Sequence, residues 1–161
     1  MATSRRDVLK TTAATLGGLV AVSLNTRVFA AGATDTLKLG LIGCGGRGGG
    51  AAVNALSADP HTRLVAMGDV FGDRLDSKLT SLKKSGVRDR VDVVPEMRFA
   101  GFDNFKHVID ACDVVLLATP PHFRPQHLRH AVEAGKHVFV EKPVAVDAPG
   151  IRSVLASSEL A

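Results

Sequence analysis

The stretch that decides the fold is LKLGLIGCGGRG, residues 37–48. Its apolar first half, Leu37 to Ile42, has the length and composition of a buried β-strand and leads directly into a glycine-rich turn. The turn fits the pattern G-x-G-x-x-G, with glycines at positions 43, 45 and 48. This pattern carries structural meaning when a strand precedes it and a helix follows it, and a helix is predicted here from Gly46 to about Leu56. The stretch therefore predicts the first strand, turn and helix of a parallel sheet.

The rest of the chain continues the alternation of strand and helix. Further strands are predicted over residues 63–68, within 91–101, over 113–118 and over 137–140. Further helices are predicted over residues 73–84, 104–111 and 125–134, with a last one from about Pro149. This alternation is typical of a parallel sheet with right-handed crossovers and helices on both faces. We therefore predict an α/β fold over residues 37–161, a Rossmann-like doubly wound parallel sheet with strand order 3-2-1-4-5.

The glycine loop predicts a site for a dinucleotide. Gly43 permits a tight turn, Gly45 lets the backbone approach a pyrophosphate, and Gly48 allows the helix to pack close to the strand. The free N–H groups at the helix N-terminus attract the phosphates. We assign cofactor contacts to the whole loop, Gly43, Cys44, Gly45, Gly46, Arg47 and Gly48. The alternative is a glycine-rich turn that binds no ligand.

Two more glycines, Gly49 and Gly50, extend the run into the predicted helix. Each weakens a helix by about 1 kcal/mol relative to alanine. We therefore expect another group to approach the backbone closely at both positions.

An acidic residue follows the second predicted strand. Asp69 stands 21 residues after Gly48, and an acid about 20 residues beyond the fingerprint binds the adenine ribose hydroxyls. Its charge would repel a 2′-phosphate, which favours NAD over NADP, although Arg74 could soften that preference. The alternative role for Asp69 is the cap of the following helix.

The fourth strand ends in LATPPH, residues 117–122. In a sheet of order 3-2-1-4-5 the topological switch point lies between strands one and four, so this loop and the glycine loop border the same crevice. We predict that Thr119, Pro120 and His122 line that crevice and contact the cofactor.

The fifth strand ends unexpectedly in charge. In HVFVEKPVAV, residues 137–146, the charged pair Glu141 and Lys142 follows an apolar run. Burying unpaired charges is costly, so either the pair has a function or it is an exposed charge pair at a strand end.

The glycine loop together with ATPPHFRPQHLRHAVEAGKHVFVEKP, residues 118–143, resembles the Gfo/Idh/MocA oxidoreductases, the family of glucose–fructose oxidoreductase and inositol dehydrogenase. The resemblance implies hydride transfer between a nicotinamide cofactor and a sugar, sugar derivative or cyclitol. It implies that Lys142, as a partly buried amine beside the nicotinamide, is catalytic and takes the hydroxyl proton. It also implies a cofactor-side position for Glu141, which we expect to orient the loop or to pair with Lys142. Arg124 departs from the pattern, because many relatives have a histidine there.

Members of this family continue into a C-terminal α+β domain that supplies the substrate pocket and usually the subunit interface. That domain is absent from this sequence, which stops at Ala161. We therefore expect little turnover from the chain by itself, and a sugar-like ligand or a homo-oligomer only in a completed form. The alternative is a non-catalytic dinucleotide-binding fragment or module. An S-adenosylmethionine-dependent methyltransferase shares the glycine loop and the acid, but it gives no reason for Glu-Lys-Pro after strand five.

The first thirty residues have the pattern of an export signal. A charged segment over residues 4–10 precedes an apolar run over 11–24, and Ala30 suits a signal peptidase. The pair Arg5 and Arg6 resembles a twin-arginine signal, which implies transport to the periplasm. The alternative is a membrane anchor, but the apolar run is short for a bilayer that needs about 20 residues. We predict a signal peptide over residues 1–30, a linker over 31–36 and no stable membrane anchor.

Most of the net positive charge lies in the first thirty residues. Removing residues 1–30 lowers the formal net charge from +4 to +1. The basic character therefore belongs to the signal and gives no indication of a nucleic-acid partner.

The cysteines and histidines predict neither a disulfide nor a metal site. Cys44 follows the first strand and Cys112 precedes the fourth. In a parallel sheet this places them about 15 Å apart, too far for a bridge that spans at most about 7 Å. His127 and His130 lie on a predicted helix without a carboxylate or cysteine partner, so we predict surface histidines and no metal.

Overall fold

The computed structural model describes residues 36–161. The predicted signal over residues 1–30, and the predicted linker except Thr36, lie outside the described residues. The strands are β1 (Leu37–Ile42), β2 (Thr62–Asp69), β3 (Arg98–Ala100), β4 (Val114–Leu117) and β5 (His137–Val140). The α-helices are α1 (Gly46–Ala58), α2 (Gly72–Lys83), α3 (Asn104–Ala111), α4 (Arg124–Glu133) and α5 (Ala148–Leu160). None of these helices is long and apolar enough to cross a membrane.

The strands form a single parallel sheet in the order β3-β2-β1-β4-β5. This confirms the predicted α/β fold and its strand order. The chain builds the sheet outward from β1 in one direction through β2 and β3, and then crosses back to add β4 and β5. The point where the direction reverses lies between β1 and β4, where open α/β sheets bind their ligands.

Helices cover both faces of the sheet, because successive residues of β1 point to opposite sides. On one face Leu41 packs in a cluster with Leu56 of α1 and Leu79 of α2. On the other face Ile42 packs in a cluster with Val108 of α3 and Ala131 of α4. Each fully buried aliphatic side chain of this size contributes about 1.5–3 kcal/mol. The two clusters hold the sheet edge in a fixed position.

The third strand lies within the predicted range of residues 91–101 and is interrupted at Pro95. Within 91–101, Val91 forms a bridge to Leu64, a 3₁₀ helix spans Pro95–Met97, and only Arg98–Ala100 is strand. Proline has a fixed φ and no N–H, so it cannot complete a strand ladder at position 95. A second 3₁₀ helix lies at Arg88–Arg90.

Both cysteines are free and buried, as predicted. Burial and the nearby Asp69 raise the pKa of the Cys44 thiol to about 12. Burial raises the pKa of the Cys112 thiol to about 11. Both side chains therefore remain protonated and serve as packing groups.

Candidate functional site

Four strands end at the same level of the sheet. The register pairs Ile42 with Gly68 and with Leu117, and it pairs Leu117 with Val140. The ladder continues just past these ends, where the Gly43 N–H donates to the Gly68 carbonyl at 2.8 Å. The residues that follow each strand therefore lie along one edge, which brings the predicted site residues together.

A cleft of about 500 Å³ opens at this edge. The glycine loop, the end of β2 and the loop between β4 and α4 line it. The residues that line it include Gly45, Asp69, Phe71, Thr119, Phe123 and His127. Pockets of about 300–1,000 Å³ suit small-molecule ligands.

The glycine loop is shaped by close backbone contacts at two positions. Gly43 has φ +96°, which side chains rarely adopt, and a Cβ there would lie 2.7 Å from the Thr119 nitrogen. A Cβ on Gly48 would lie 1.9 Å from the Gly43 carbonyl oxygen. These contacts confirm the tight turn predicted at Gly43 and the close helix packing predicted at Gly48.

Gly45 differs from both of these glycines. Its φ of −69° and ψ of −173° are open to any residue, and a Cβ there would find no protein atom within 4 Å. It borders the cleft. Backbone conformation and packing within the described residues do not require a glycine at this position, and the space beside it is open to the cleft.

The expectation for the two extra glycines is half right. A Cβ on Gly49 would lie 2.6 Å from the side chain of Lys78, so a group does approach there. At Gly50 no atom of residues 36–161 lies within 4 Å of the built Cβ, so the expectation is wrong for this part of the chain.

Asp69 is held at the cleft by two backbone donors. Its Oδ2 accepts from the Cys44 N–H at 2.7 Å, and its Oδ1 accepts from the Phe71 N–H at 3.0 Å. The alternative role as helix cap is wrong, because α2 begins after Phe71 and has no side-chain cap. The bonds fix the carboxylate beside the glycine loop, and they occupy the Cys44 N–H.

The three residues predicted to line the crevice in the loop after β4 differ in burial and in their position relative to the cleft. Thr119 is buried in the cleft wall, and Pro120 lines the cleft while remaining exposed. His122 is exposed and packs edge-on against Phe123 with ring centroids 5.3 Å apart. It does not belong to the cleft lining, so the expectation that it borders the crevice is wrong for this conformation.

His127 is a cleft residue that the sequence did not indicate. It is 4% exposed rather than on the surface, and it stacks on Phe105 with ring centroids 4.3 Å apart. Its Nδ1 lies 3.4 Å from the Thr119 hydroxyl oxygen. Burial, and to a lesser extent His130, lowers the pKa of His127 to about 4. The ring is neutral at physiological pH and forms part of the cleft wall.

Arg124 is the second residue whose role the sequence missed. It is the first residue of α4 and is 5% exposed. Its Nε donates to the Thr119 carbonyl at 2.7 Å, and one terminal nitrogen donates to the carbonyls of both Glu141 and Pro143. Burial lowers the pKa of the guanidinium, while the charge of Glu141 acts in the opposite direction. Positions 124, 127 and 131 share one helix face, but two of them carry polar residues, so no apolar pattern in the sequence indicated that this face is buried.

Glu141 pairs across the crevice. Its carboxylate is buried and accepts from the Arg47 Nε at 2.7 Å, while the Arg47 side chain is 73% exposed. The expected pair between Glu141 and Lys142 is therefore wrong: the partner comes from the glycine loop, 94 residues earlier. The pair ties the glycine loop to the end of β5.

Lys142 stands just beyond, and it is exposed. The expectation of a partly buried amine is wrong for this chain, since within residues 36–161 the side chain is not enclosed. Its position beside Glu141, at the end of β5, agrees with the predicted loop. Within the same residues, no cluster of three or more histidine, cysteine or acidic side chains could hold a metal ion.

Residues 37–159 match the model of the Gfo/Idh/MocA family, described as an oxidoreductase family with an NAD-binding Rossmann fold. The chain belongs to this family. The Gfo/Idh/MocA match spans the whole sheet and confirms the resemblance carried by the glycine loop and residues 118–143. Residues 37–159 correspond to the part of the family described as an NAD-binding Rossmann fold.

Curated relatives of this Gfo/Idh/MocA domain carry the name glycosyl hydrolase family 109 protein. The one from Streptomyces coelicolor is 30% identical over 129 residues, covering 79% of this chain and 26% of the relative. The one from Solibacter usitatus is 32% identical over 151 residues, covering 89% of this chain and 33% of the relative. The chain thus spans about a third or less of the length of these relatives.

Solved structures with a similar fold include sugar and cyclitol oxidoreductases. The scyllo-inositol dehydrogenase from Lactobacillus casei, with NAD(H) and scyllo-inositol bound, has a TM-score of 0.59 and 26% identity, covering 78% of this chain and 33% of that chain. KijD10, a 3-ketoreductase from Actinomadura kijaniata in complex with TDP-benzene and NADP, has a TM-score of 0.56 and 26% identity, covering 78% and 35%. The two structures differ in their cofactor.

Proposed function

We propose that the chain binds NAD and forms the cofactor half of an enzyme that transfers hydride between nicotinamide and a sugar, sugar derivative or cyclitol. The observation that carries the proposal is Gly45, a glycine that the protein's own packing and backbone do not require. It lies between the N-terminus of α1 and the cleft. A diphosphate approaching the free N–H groups there needs the space that a Cβ would take.

The residues around Gly45 fit the rest of a dinucleotide. The carboxylate of Asp69 borders the same cleft and can accept from ribose hydroxyls. Thr119 and Pro120 form the opposite wall, next to the end of β5. The cofactor, when bound, supplies the hydride acceptor or donor. The protein supplies its position and the polar groups around it.

Asp69 is the reason to propose NAD over NADP. A negative charge fixed by two N–H donors would repel a 2′-phosphate. Arg74 is the competing group, since its guanidinium lies 5.2 Å from the centroid of the Phe71 ring at the cleft. Because the KijD10 structure contains NADP, the binding experiment compares the NAD and NADP forms of the nucleotide.

For Lys142 we propose the role of proton acceptor and donor to the substrate hydroxyl. The support is its position: it follows the buried Glu141 at the end of β5, and its side chain is exposed. Further protein and bound cofactor would enclose the Lys142 amine and exclude water from it. A dehydrogenase site needs this exclusion of water for proton transfer. The name of the Lactobacillus casei neighbour supports a polyol as the substrate class.

The binding part of the proposal is tested by titrating the chain with NADH and NADPH and following nucleotide fluorescence. Gly45→Ala should fold normally, because no atom of residues 36–161 lies within 4 Å of the new Cβ, and yet lose nucleotide binding. The matched control is Gly50→Ala, whose Cβ also meets no atom but lies away from the cleft. It should bind as the wild type does. Equal binding by Gly45→Ala and wild type would refute the proposed site.

A second candidate is hydrolysis of a glycosidic bond, since the curated relatives are named glycosyl hydrolases. Most glycosidases use two carboxyl groups. The buried carboxylates at this edge, Asp69 and Glu141, are already engaged by backbone N–H groups and by Arg47. Joining the chain to a complete C-terminal domain separates the candidates: release of free sugar from a glycoside supports hydrolysis, and net reduction of NAD by a polyol supports dehydrogenation. Nucleotide binding with neither reaction supports a non-catalytic module.

Export by the twin-arginine route is also a proposal. It is supported by the sequence of residues 4–30. Fusing residues 1–36 to a reporter and changing Arg5 and Arg6 together to lysine tests it. Periplasmic reporter that disappears in the double variant is the expected result, and unchanged export would contradict the route.

A further inference from the structure

The guanidinium of Arg124 is buried between two loops at the cleft. It contacts three separate backbone carbonyls, and the residues that own them come from two loops. Thr119 belongs to the loop after β4 and lines the cleft. Glu141 and Pro143 belong to the loop after β5, and they stand on either side of Lys142.

A guanidinium is rarely buried for packing alone. Removing it from water is costly unless its N–H groups find acceptors, and an arginine so placed is expected to serve several acceptors at once. Here two nitrogens supply three hydrogen bonds, with the Glu141 charge nearby. The planar fork of arginine can reach these diverging acceptors from two nitrogens at once, whereas the three donors of a lysine ammonium all lie on one nitrogen.

The arrangement of the acceptors suggests what the contacts accomplish. One terminal nitrogen binds the carbonyls immediately before and after Lys142. This fixes the backbone of that residue without touching its exposed side chain. The Nε of the same guanidinium binds Thr119, so the lysine loop is tied to the wall of the cleft.

We infer that Arg124 is the positioning residue of Lys142: it sets the place of the lysine backbone relative to a nucleotide in the cleft. This inference rests on the proposed function of the cleft and of Lys142. Arg124 acts through carbonyl groups, so it is not itself a catalytic residue. Its loss should release the loop over residues 141–146 while leaving the glycine loop and Asp69 in place.

The test uses the 161-residue chain with ¹³C-labelled lysine, in which the Lys142 signal is assigned from a Lys142→Arg variant. Two observables are measured: the change of the Lys142 signal on adding NAD, and amide hydrogen exchange over residues 141–146. The variants are Arg124→Met and Arg124→Lys. Arg129→Gln is the matched control, because Arg129 lies on the same helix, is exposed and pairs only with Glu133 among the described residues.

We expect Arg124→Met to retain nucleotide binding but to lose most of the Lys142 response. Within this loop the Glu141 N–H is the protected amide, because it donates to the Leu117 carbonyl; its exchange should rise by about tenfold or more, with β1 unchanged. Arg124→Lys should restore part of both, since its single nitrogen cannot reach the Thr119 carbonyl and the two carbonyls of the lysine loop together. Arg129→Gln should match the wild type in both observables.

Two results would overturn the inference. One is an Arg124→Met chain whose Lys142 response and loop exchange equal those of the wild type. The other is exchange that rises equally in β1, β4 and the loop, in either Arg124 variant, because that describes a general structural role. If Arg124→Met does not fold, Arg124→Lys decides by the same criteria. Failure of the wild type to bind either nucleotide would refute the proposed function, and the loop exchange of the variants would still decide whether Arg124 fixes the loop.

Discussion

Acid should destabilise this fold through one buried side chain, His127. The imidazole is 4% exposed, stacked on Phe105 and close to the Thr119 hydroxyl. Burial lowers the pKa of His127 from its ordinary value of 6.5 to about 4. Between pH 6.5 and about 4, His127 therefore binds a proton in the unfolded chain but not in the native state.

The sign and size follow from proton linkage. Where the unfolded state binds more protons, the free energy of unfolding rises with pH. The contribution of His127 is complete above pH 6.5 and is lost as pH falls towards about 4. The loss by about pH 5 is about 2 kcal/mol, and it approaches about 3 kcal/mol at lower pH.

The assay is urea unfolding of wild type and His127→Phe at a series of pH values between about 7.5 and 5. Phenylalanine keeps a flat ring on Phe105 and cannot be protonated, so the difference between the two proteins isolates the imidazole. The wild type should lose about 2 kcal/mol relative to the variant over this range. His61→Gln, which removes an exposed histidine, should keep the pH dependence of the wild type. A difference between wild type and His127→Phe that stays constant with pH would refute the argument.

Three further predictions concern the loop and the thiols. Gly48→Ala should lower the free energy of unfolding in urea by more than about 3 kcal/mol, because its Cβ would lie 1.9 Å from the Gly43 carbonyl oxygen. Gly50→Ala should raise it by about 0.5–1 kcal/mol. Equal effects of the two substitutions would contradict the close packing at Gly48. Native Cys44 should react with iodoacetamide about a thousandfold more slowly than in the unfolded chain, because its pKa is raised to about 12; fast labelling of the folded chain would show that the thiol is accessible. Arg47→Met should lower the free energy of unfolding in urea by less than about 1 kcal/mol, since water can replace the 73% exposed Arg47 side chain at Glu141. A larger loss would mean that the ion pair stabilises the fold.

The fold and the edge that carries the site were predictable from sequence because both depend on repeated, local signals. Alternating apolar strands and amphipathic helices define the sheet, and the glycine loop after β1 identifies the crevice. Gly43 and Gly48 could be assigned because backbone geometry alone requires them. The positions of Arg124 and His127, and the partner of Glu141, could not be assigned in this way.

Arg124 and His127 illustrate the reason. A polar residue on a helix is normally solvated, and only the tertiary structure shows that α4 turns both side chains towards the cleft. The partner of Glu141 was missed for a related reason: Arg47 is adjacent in space but 94 residues away in sequence. The exposure of Lys142 depends on what surrounds the edge, and local sequence does not encode it.

The common level at which four strands stop has a consequence for how this protein can change. Inserting one residue into β1, β2, β4 or β5 would advance the following loop by about 3.3 Å and turn the alternating side chains to the opposite face. Evolution and protein engineering should therefore find length changes tolerable in the connections at the far rim, such as the turn around Pro60 between α1 and β2. Near the crevice, substitutions in place are the practical means of altering specificity.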